Sequence, residues 1–426
     1  MKRHFLSIVA SCVLLVAMST AASAAGFALY EWSARGNALG GTLVGRADDP
    51  SAVAFNPAGI TQLDGTQIAF GTSLAAPFAQ IDTTDAAGNQ STISSNPALF
   101  PIPHFYLTHK INDKWSFGIG EFSRFGLGFG YDSDWAGRFN IIETSILSAS
   151  LNPNIAYKIT DRLSVALGIE YVYVSVGVKK DLPPAAALVG TPRVGLIDGG
   201  RSHLEGSGDG YALTAGLHYK LDNWRFGVGY HSQAKVKASG DTKITGAGPG
   251  AMLFKDGEYT TKATVVLPDM ISFGVTYYPT QDLSIEVGAI NTRWSTYRNF
   301  DLDLDVNGVA VTNEQPKKWK DVWRLNLGVE YAIDDAWTVR GSYAWDEAPE
   351  NAQYVDYMIP AADRHLIGTG VGYKYGDWTF DVAYTFIIAE EVDYDEASKN
   401  RESGVLPGKS KNGVTHIGAF TVGYSF

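Results

Sequence analysis

Along most of the chain, apolar and polar residues alternate one by one. From Trp337 the order is Trp-Thr-Val-Arg-Gly-Ser-Tyr-Ala-Trp, and Trp224–Tyr230, Leu163–Tyr171 and Phe380–Phe386 repeat the rhythm. In a strand, successive side chains point to opposite faces. One face is therefore aliphatic and aromatic. The other carries Gly, Ala, Ser and Thr, with isolated charges at Arg225, Arg324, Arg340, Glu170, Glu286, Glu330 and Asp381. A soluble sandwich buries its apolar face. Charges set among small residues suit a polar, partly filled lumen, with the apolar face turned to lipid.

The alternation predicts strands near 66–80, 100–111, 115–124, 142–160, 162–180, 201–221, 223–239, 258–279, 281–297, 320–333, 336–346, 363–375, 377–389 and 414–426. About fourteen is an even number, as single-chain bacterial barrels require. Short turns such as 111–114, 160–161, 221–223 and 375–377 alternate with long polar loops near 81–99, 125–141, 182–200, 240–257, 298–319, 347–362 and 390–413. Sorting loops by parity places short turns on the periplasmic side and long loops outside. Trp115, Trp224, Trp337, Trp378, Tyr219, Tyr277, Tyr278, Tyr331 and Tyr373 lie near turns, as an interfacial girdle would. Cross-strand aromatic pairing explains them equally well. The final strand ends in Phe426 on the apolar face and must pair with the first to leave no edge in lipid.

Two stretches fall outside this rhythm. Lys2 and Arg3 precede an apolar run and then Ala22-Ser23-Ala24, a signal-peptide pattern that predicts a mature start at Ala25. Val9-Ala10-Ser11-Cys12 resembles a lipoprotein box, but the apolar run continues past it. From Ala25 to about Gly65 the alternation stops. Asp49-Pro50 and Asn56-Pro57 look like helix starts, with Asp or Asn as N-cap and Pro at the first helical position. A compact helical plug ahead of the first strand would fill the wide lumen of such a barrel. The domains expected are a signal peptide at 1–24, a plug or hatch at 25–65 and a transmembrane β-barrel at 66–426.

Composition agrees. Of 426 residues 46 are Gly, 12% are aromatic and 19% charged, which excludes disorder and collagen. No later run is long enough for a spanning helix. A net charge of −11 argues against nucleic acid as a partner. The only cysteine, Cys12, lies in the predicted signal, so the mature chain has no disulfide, thiolate metal site or cysteine nucleophile. The histidines outside the signal are scattered singly, and no metal, nucleotide or catalytic motif stands out. No enzyme activity, cofactor or metal is expected.

Ala25-Gly26-Phe27, Gly36-Asn37-Ala38, Asp48-Asp49 and Asn56-Pro57-Ala58-Gly59 follow one another in the order seen in the hatch of the FadL family. The likeness continues through Lys110–Gly120, Phe125-Gly-Leu127 and Asn152–Lys158. This chain resembles outer-membrane transporters of long-chain fatty acids and other hydrophobic compounds, aromatic hydrocarbons included. The resemblance implies a Gram-negative outer-membrane barrel plugged by its N-terminal hatch. A ligand enters from outside, displaces the first hatch residues and leaves sideways at a kink in the third strand. It places Phe27 beside the ligand pocket and gives Asn56, Pro57 and Ala58 a structural role in the hatch. It places a lateral opening along a third strand rich in Gly, with Gly118, Gly120, Phe122 and Phe125. Members that carry fatty acids tend to have a basic residue shortly after a Val-Tyr pair in the fifth strand. Here Val172-Tyr173 is followed by Val174-Ser175, with Lys179 and Lys180 only farther on. Arg225, Arg324 and Arg340 are candidate carboxylate partners, unless they pair with the lumenal acids. The expected partners are hydrophobic small molecules, outer-membrane lipid and lipopolysaccharide, and the barrel assembly machinery. A general diffusion porin, a channel for neutral aromatic hydrocarbons, and an adhesin are the competing readings.

Overall fold

A computed structural model describes residues 26–191, 193–306 and 308–426. The predicted signal peptide lies outside that range. Fourteen strands close into one antiparallel ring: β1 (Thr66–Thr84), β2 (Phe100–Lys110), β3 (Trp115–Phe122, resuming as Gly126–Gly130), β4 (Glu143–Lys158), β5 (Leu163–Asp181), β6 (Arg201–Leu221), β7 (Trp224–His231, resuming as Ala234–Thr245), β8 (Gly257–Leu267, resuming as Met270–Tyr277), β9 (Leu283–Thr292), β10 (Val322–Ala332), β11 (Trp337–Asp346), β12 (Arg364–Tyr375), β13 (Trp378–Ala389) and β14 (Gly408–Ser425). The ring closes where Gln67 pairs with Ser425 and Phe78 with Val414. Closure removes the edges that would otherwise meet lipid with unpaired backbone. The 298–319 loop carries a feature the alternation did not predict, a hairpin of Leu302–Val306 and Val309–Asn313.

Burial inverts the pattern of a water-soluble sheet. On β5, Leu167 and Ile169 are 69% and 57% exposed, while Glu170 on the opposite face is 0% exposed. Glu286 on β9 is likewise sealed, with its neighbour Val287 pointing outward. An outward apolar belt around an inward polar face is stable only in hydrocarbon. At the short-turn end Trp115 packs against Tyr157, Trp224 against Tyr277, Trp337 against Tyr373 and Trp378 against Tyr424, with ring centres 4.4–4.7 Å apart. These pairs are register partners across neighbouring strands. Girdle and cross-strand pairing are thus the same residues.

Residues 26–65 pack against the inward face of the ring. Helix α1 (Ala34–Ala38) is capped by Ser33, whose side chain accepts from the Gly36 N–H. Helix α2 (Ala52–Phe55) begins two residues later than Asp49-Pro50 suggested. Asp49 accepts from Ser51 N and Oγ, and Ser51, not Asp49, takes the cap position. The 3₁₀ turn Pro57–Gln62 matches expectation, with Asn56 accepting from Ala58 N and Pro57 at the first position.

Buried charges fasten this segment to the wall. The Glu286 carboxylate accepts from the N–H groups of Val44, Gly45 and Arg46 at 2.9–3.1 Å, from Thr276 Oγ1 at 2.7 Å, and from the Arg46 guanidinium at 3.2 Å. Arg46, also fully buried, donates further to Ser284 and to the Gly328 carbonyl. A buried pair of this kind stands only when its remaining donors and acceptors are met.

Candidate functional site: a break in the wall and a cavity among the loops

Strands β2 and β3 pair only as far as Phe105 and Glu121. Beyond that point Phe100–His104 pair with β1 and not with β3, and among the barrel strands Gly126–Gly130 pair only with β4. At the break, Ser123, Arg124 and Phe125 of β3 stand opposite only Ser148 and Ala149 of β4. One surplus residue is a bulge. The backbone groups it frees are met by side chains. Ser123 Oγ donates to the Ser148 carbonyl at 2.6 Å, and Ser148 Oγ donates to the Phe125 carbonyl at 2.7 Å while accepting from Phe125 N at 3.1 Å. Irregular backbone at membrane depth is tolerated only with such substitutes. Arg124 turns inward, fully buried, onto Glu170 at 3.0 Å and the Pro268 carbonyl at 3.1 Å. His231 Nδ1 lies 2.9 Å from the same carboxylate, and His231 Nε2 lies 2.9 Å from the Ala54 carbonyl.

The break thus falls at 123–125, just past Gly118 and Gly120. Those glycines have a separate reason to be small. A Cβ at Gly118 would stand 2.8 Å from Val53 Cγ2, and one at Gly120 would stand 2.8 Å from both Val53 Cγ1 and the Tyr106 ring. The N-terminal segment lies directly on that stretch of strand. Phe122 is buried there against Trp32 and Tyr106.

The start of the described chain docks on the break itself. Leu29 N donates to the Arg124 carbonyl and Gly126 N donates to the Phe27 carbonyl, both at 2.8 Å. Ala28 and Phe125 form an antiparallel bridge. Phe27 is enclosed by Trp294, Tyr297, Phe125 and Trp319, with ring centres 4.7–5.9 Å away. Asn56 lies deeper, donating to the carbonyls of Val44 and Leu217. Pro57 and Ala58 are buried beside it. Phe27 and Phe125 therefore meet, whereas Asn56-Pro57-Ala58 form a separate anchor against β6.

Behind the break is a chamber of about 270 Å³, lined by Phe100, Ile102, Leu127, Phe129, Ile387 and Ile417 among others. Glu31, Glu121 and Arg364 are its charged members. A second cavity, about 720 Å³, lies among the long loops and the ends of β5 and β6. Leu188, Leu196, Ile197, Ile244 and Phe254 give it an apolar lining. No residue of 26–65 reaches it. Lys180 and Arg193 are half-buried at one end, beside Lys317 and Asp356. Lys317 is already ion-paired with Asp356. Burial and the nearby Asp356 push the Glu350 carboxyl well above the usual carboxylate range. Neither the Lys180 ammonium nor the Arg193 guanidinium has a carboxylate within ion-pair distance among the described residues. Asp181, also on the lining, is held by Arg138 and Arg201, and Glu314 and Glu402 are exposed.

The three arginines singled out from the sequence are engaged elsewhere. Arg340 is gripped by Glu330 at 2.6 Å and Asp381 at 2.5 Å, and Arg35 reaches Glu330 from the N-terminal segment at 2.7 Å. Arg324 pairs with Asp346 at 3.4 Å, donates to the Gly40 carbonyl and covers the Tyr30 ring. Arg225 sits at a short turn, donating to the carbonyls of Asp222 and Trp224. Sequence reasoning missed Arg193, Ser148, Glu31 and Glu121 as candidate site residues, and noted Lys180 only as displaced. Glu121 carried a readable signal. It follows Trp115, Phe117 and Ile119 on the outward positions of β3, where a carboxyl breaks the pattern.

Comparison with known proteins adds three kinds of finding. The family described as "Outer membrane protein transport protein (OMPP1/FadL/TodX)" matches residues 15–426. A long-chain fatty acid transport protein of Salmonella typhi is 27% identical over 92% of this chain and 94% of its own length. Among solved structures, a Pseudomonas aeruginosa FadL homologue superposes with a TM-score of 0.83 at 22% identity, over 94% of this chain and all of that one. The Ralstonia pickettii toluene transporter TbuX gives 0.69 at 18% identity, over 93% and 100%. At such identities the superpositions establish the fold alone.

Proposed function

This chain belongs to the OMPP1/FadL/TodX outer-membrane transport family, and we propose that it is a passive conduit carrying hydrophobic compounds, long-chain fatty acids foremost, from the cell exterior into the outer membrane. As a member it is a β-barrel of the Gram-negative outer membrane, with short turns facing the periplasm and long loops outside. The observation that carries the proposal is the unpaired stretch between β2 and β3, which opens through the wall onto an apolar chamber. A closed barrel has no reason to leave backbone pairing unmade in hydrocarbon unless something passes there.

The outer cavity captures the ligand. Its volume lies within the range of sites that enclose drug-sized molecules, and Lys180 and Arg193 stand ready for a carboxylate head. A charge-assisted hydrogen bond is the strong kind once water is displaced. Residues 26–65 act as the hatch. Phe27 is its latch, because the hydrogen bonds that hold Phe27–Leu29 are made to the break itself. A ligand that competes for the aromatic cage of Phe27 would free those bonds and open the chamber toward lipid. Asn56, Pro57 and Ala58 keep the rest of the hatch seated, as does the Arg46–Glu286 pair. Outer-membrane lipid and lipopolysaccharide surround the belt, and the barrel assembly machinery would read the strand that ends at Phe426.

A second ligand class, neutral aromatic hydrocarbons, is favoured by one observation: among the described residues the chamber holds no cation free of a carboxylate. Sealing the opening tests the conduit. With no cysteine in the predicted mature chain, Ile102→Cys and Leu127→Cys can be joined by a cleavable bismaleimide. Uptake of radiolabelled oleate should fall to the level of cells without the barrel and return on cleavage. Unchanged uptake through the sealed protein would remove the lateral route.

A further inference from the structure

The charges around the chamber do not resemble those of the outer cavity. Arg364 and Arg324 share the single carboxylate of Asp346, which leaves one positive charge over. Arg364 has a buried Nε with no hydrogen-bond partner. Glu31, 8% exposed, faces the same chamber with one hydrogen bond, from the N–H of Tyr30 at 2.9 Å, and no cation within ion-pair distance. It balances the surplus of the two arginines. Glu121 then remains. It sits on the outward face of β3 opposite Phe105, the last residue of β2 to pair before the break, and has no hydrogen-bond or ion-pair partner among the described residues. An ionisable group on the lipid side of a spanning strand is costly and marks function by default. Arg124, the nearest other cation on β3, is spent on Glu170.

Resting on the conduit reading, we propose that the opening is a charge filter: Glu31 inside it and Glu121 on its lipid lip pass uncharged molecules and hold back permanent anions. A carboxylate finds no unmatched cation in the chamber and meets a further carboxyl where it would leave. A fatty acid therefore departs as the neutral acid, having taken one proton from water on the outer side. Its carboxylate is welcome at Lys180 and Arg193 and unwelcome at the exit, so capture and release select opposite protonation states.

Two probes of equal chain length separate the filter from the conduit. Intact cells making the full barrel, and matched cells without it, are given 1-dodecanol or dodecane-1-sulfonate at neutral pH, and each probe is quantified in the cell envelope. Dodecanol should enter through the barrel, and the sulfonate at least ~10-fold more slowly, a lower bound set beneath the roughly 100-fold that one uncompensated charge in hydrocarbon imposes. In Glu31→Gln/Glu121→Gln, checked for heat-modifiable migration to confirm assembly, the sulfonate-to-dodecanol ratio should rise by about fivefold or more as the Arg364 surplus is uncovered. Equal entry of both probes in the native barrel overturns the filter, as does an assembled double variant with an unchanged ratio. Should neither probe enter faster than in cells without the barrel, the conduit reading itself fails and the filter with it. The native comparison decides the matter even if the variant does not assemble.

Discussion

The outer cavity and the wall chamber both present a mostly apolar surface that includes Leu, Ile and Phe, yet they settle their charges differently. In the outer cavity Lys180 and Arg193 are unmatched, and the acids on the lining are either bridged or exposed. In the chamber every cation is matched and the unmatched group is an acid. The outer cavity is built by loops and strand ends alone. The chamber borrows Leu29 and Glu31 from the N-terminal segment. Apolar lining therefore says only that both can hold a greasy tail. What each asks of the head group is decided by a few ion pairs, and what separates them is that the N-terminal segment lines the chamber alone.

The largest effect should come from breaking that separation. Glu286→Ala strips three backbone N–H groups and Arg46 of their acceptor. Leaving Arg46 buried and unpaired costs about 3–5 kcal/mol. The hatch should loosen and planar-bilayer recordings should show sustained ion current, where the native barrel stays quiet. Next, Phe27→Ala empties the aromatic cage, a loss of about 3–5 kcal/mol for a buried aromatic. Oleate uptake should fall severalfold with the barrel still assembled, as cell uptake assays would show. Lys180→Ala/Arg193→Ala probes the outer cavity alone. Two lost charge-assisted bonds at about 1.5–3 kcal/mol each should weaken binding of a fluorescent fatty acid by at least ~10-fold, while toluene uptake stays as it was. Smallest, Gly120→Val pushes against Val53 and Tyr106. Overpacking of this sort costs about 1–3 kcal/mol and should lower the melting temperature of the detergent-solubilised barrel by a few degrees.

Much of the architecture is legible in residue order because lipid enforces it. Every second residue of Leu163–Tyr171 faces hydrocarbon, so the strand announces itself. Short turns and long loops do the same for topology. The site is less legible, for a reason visible in β3. The Gly-rich run drew attention to Gly118 and Gly120, but their smallness serves contact with Val53, which is distant in sequence. The break itself is made by Ser148, on another strand, offering one hydroxyl to both backbone groups of Phe125. No local pattern encodes a partner that far away. Arg340 illustrates the same limit. Its lumenal position followed from alternation, but its engagement with Glu330 and Asp381 depends on which strands become neighbours.

The central claim is that the ligand leaves through the wall between β2 and β3. A cavity of about 280 Å³ at the short-turn end, lined by Arg35, Asp49, Lys374 and Ser425 among others, is the competing way out. A long-chain fatty acid carrying a diazirine on its tail, photolysed during uptake and mapped by mass spectrometry, distinguishes them directly. Labels on Leu196 or Phe254 in the outer cavity and on Phe100, Leu127 or Phe129 at the break are the predicted outcome. Labels that skip the break and cluster around Arg35 and Lys374 would contradict it.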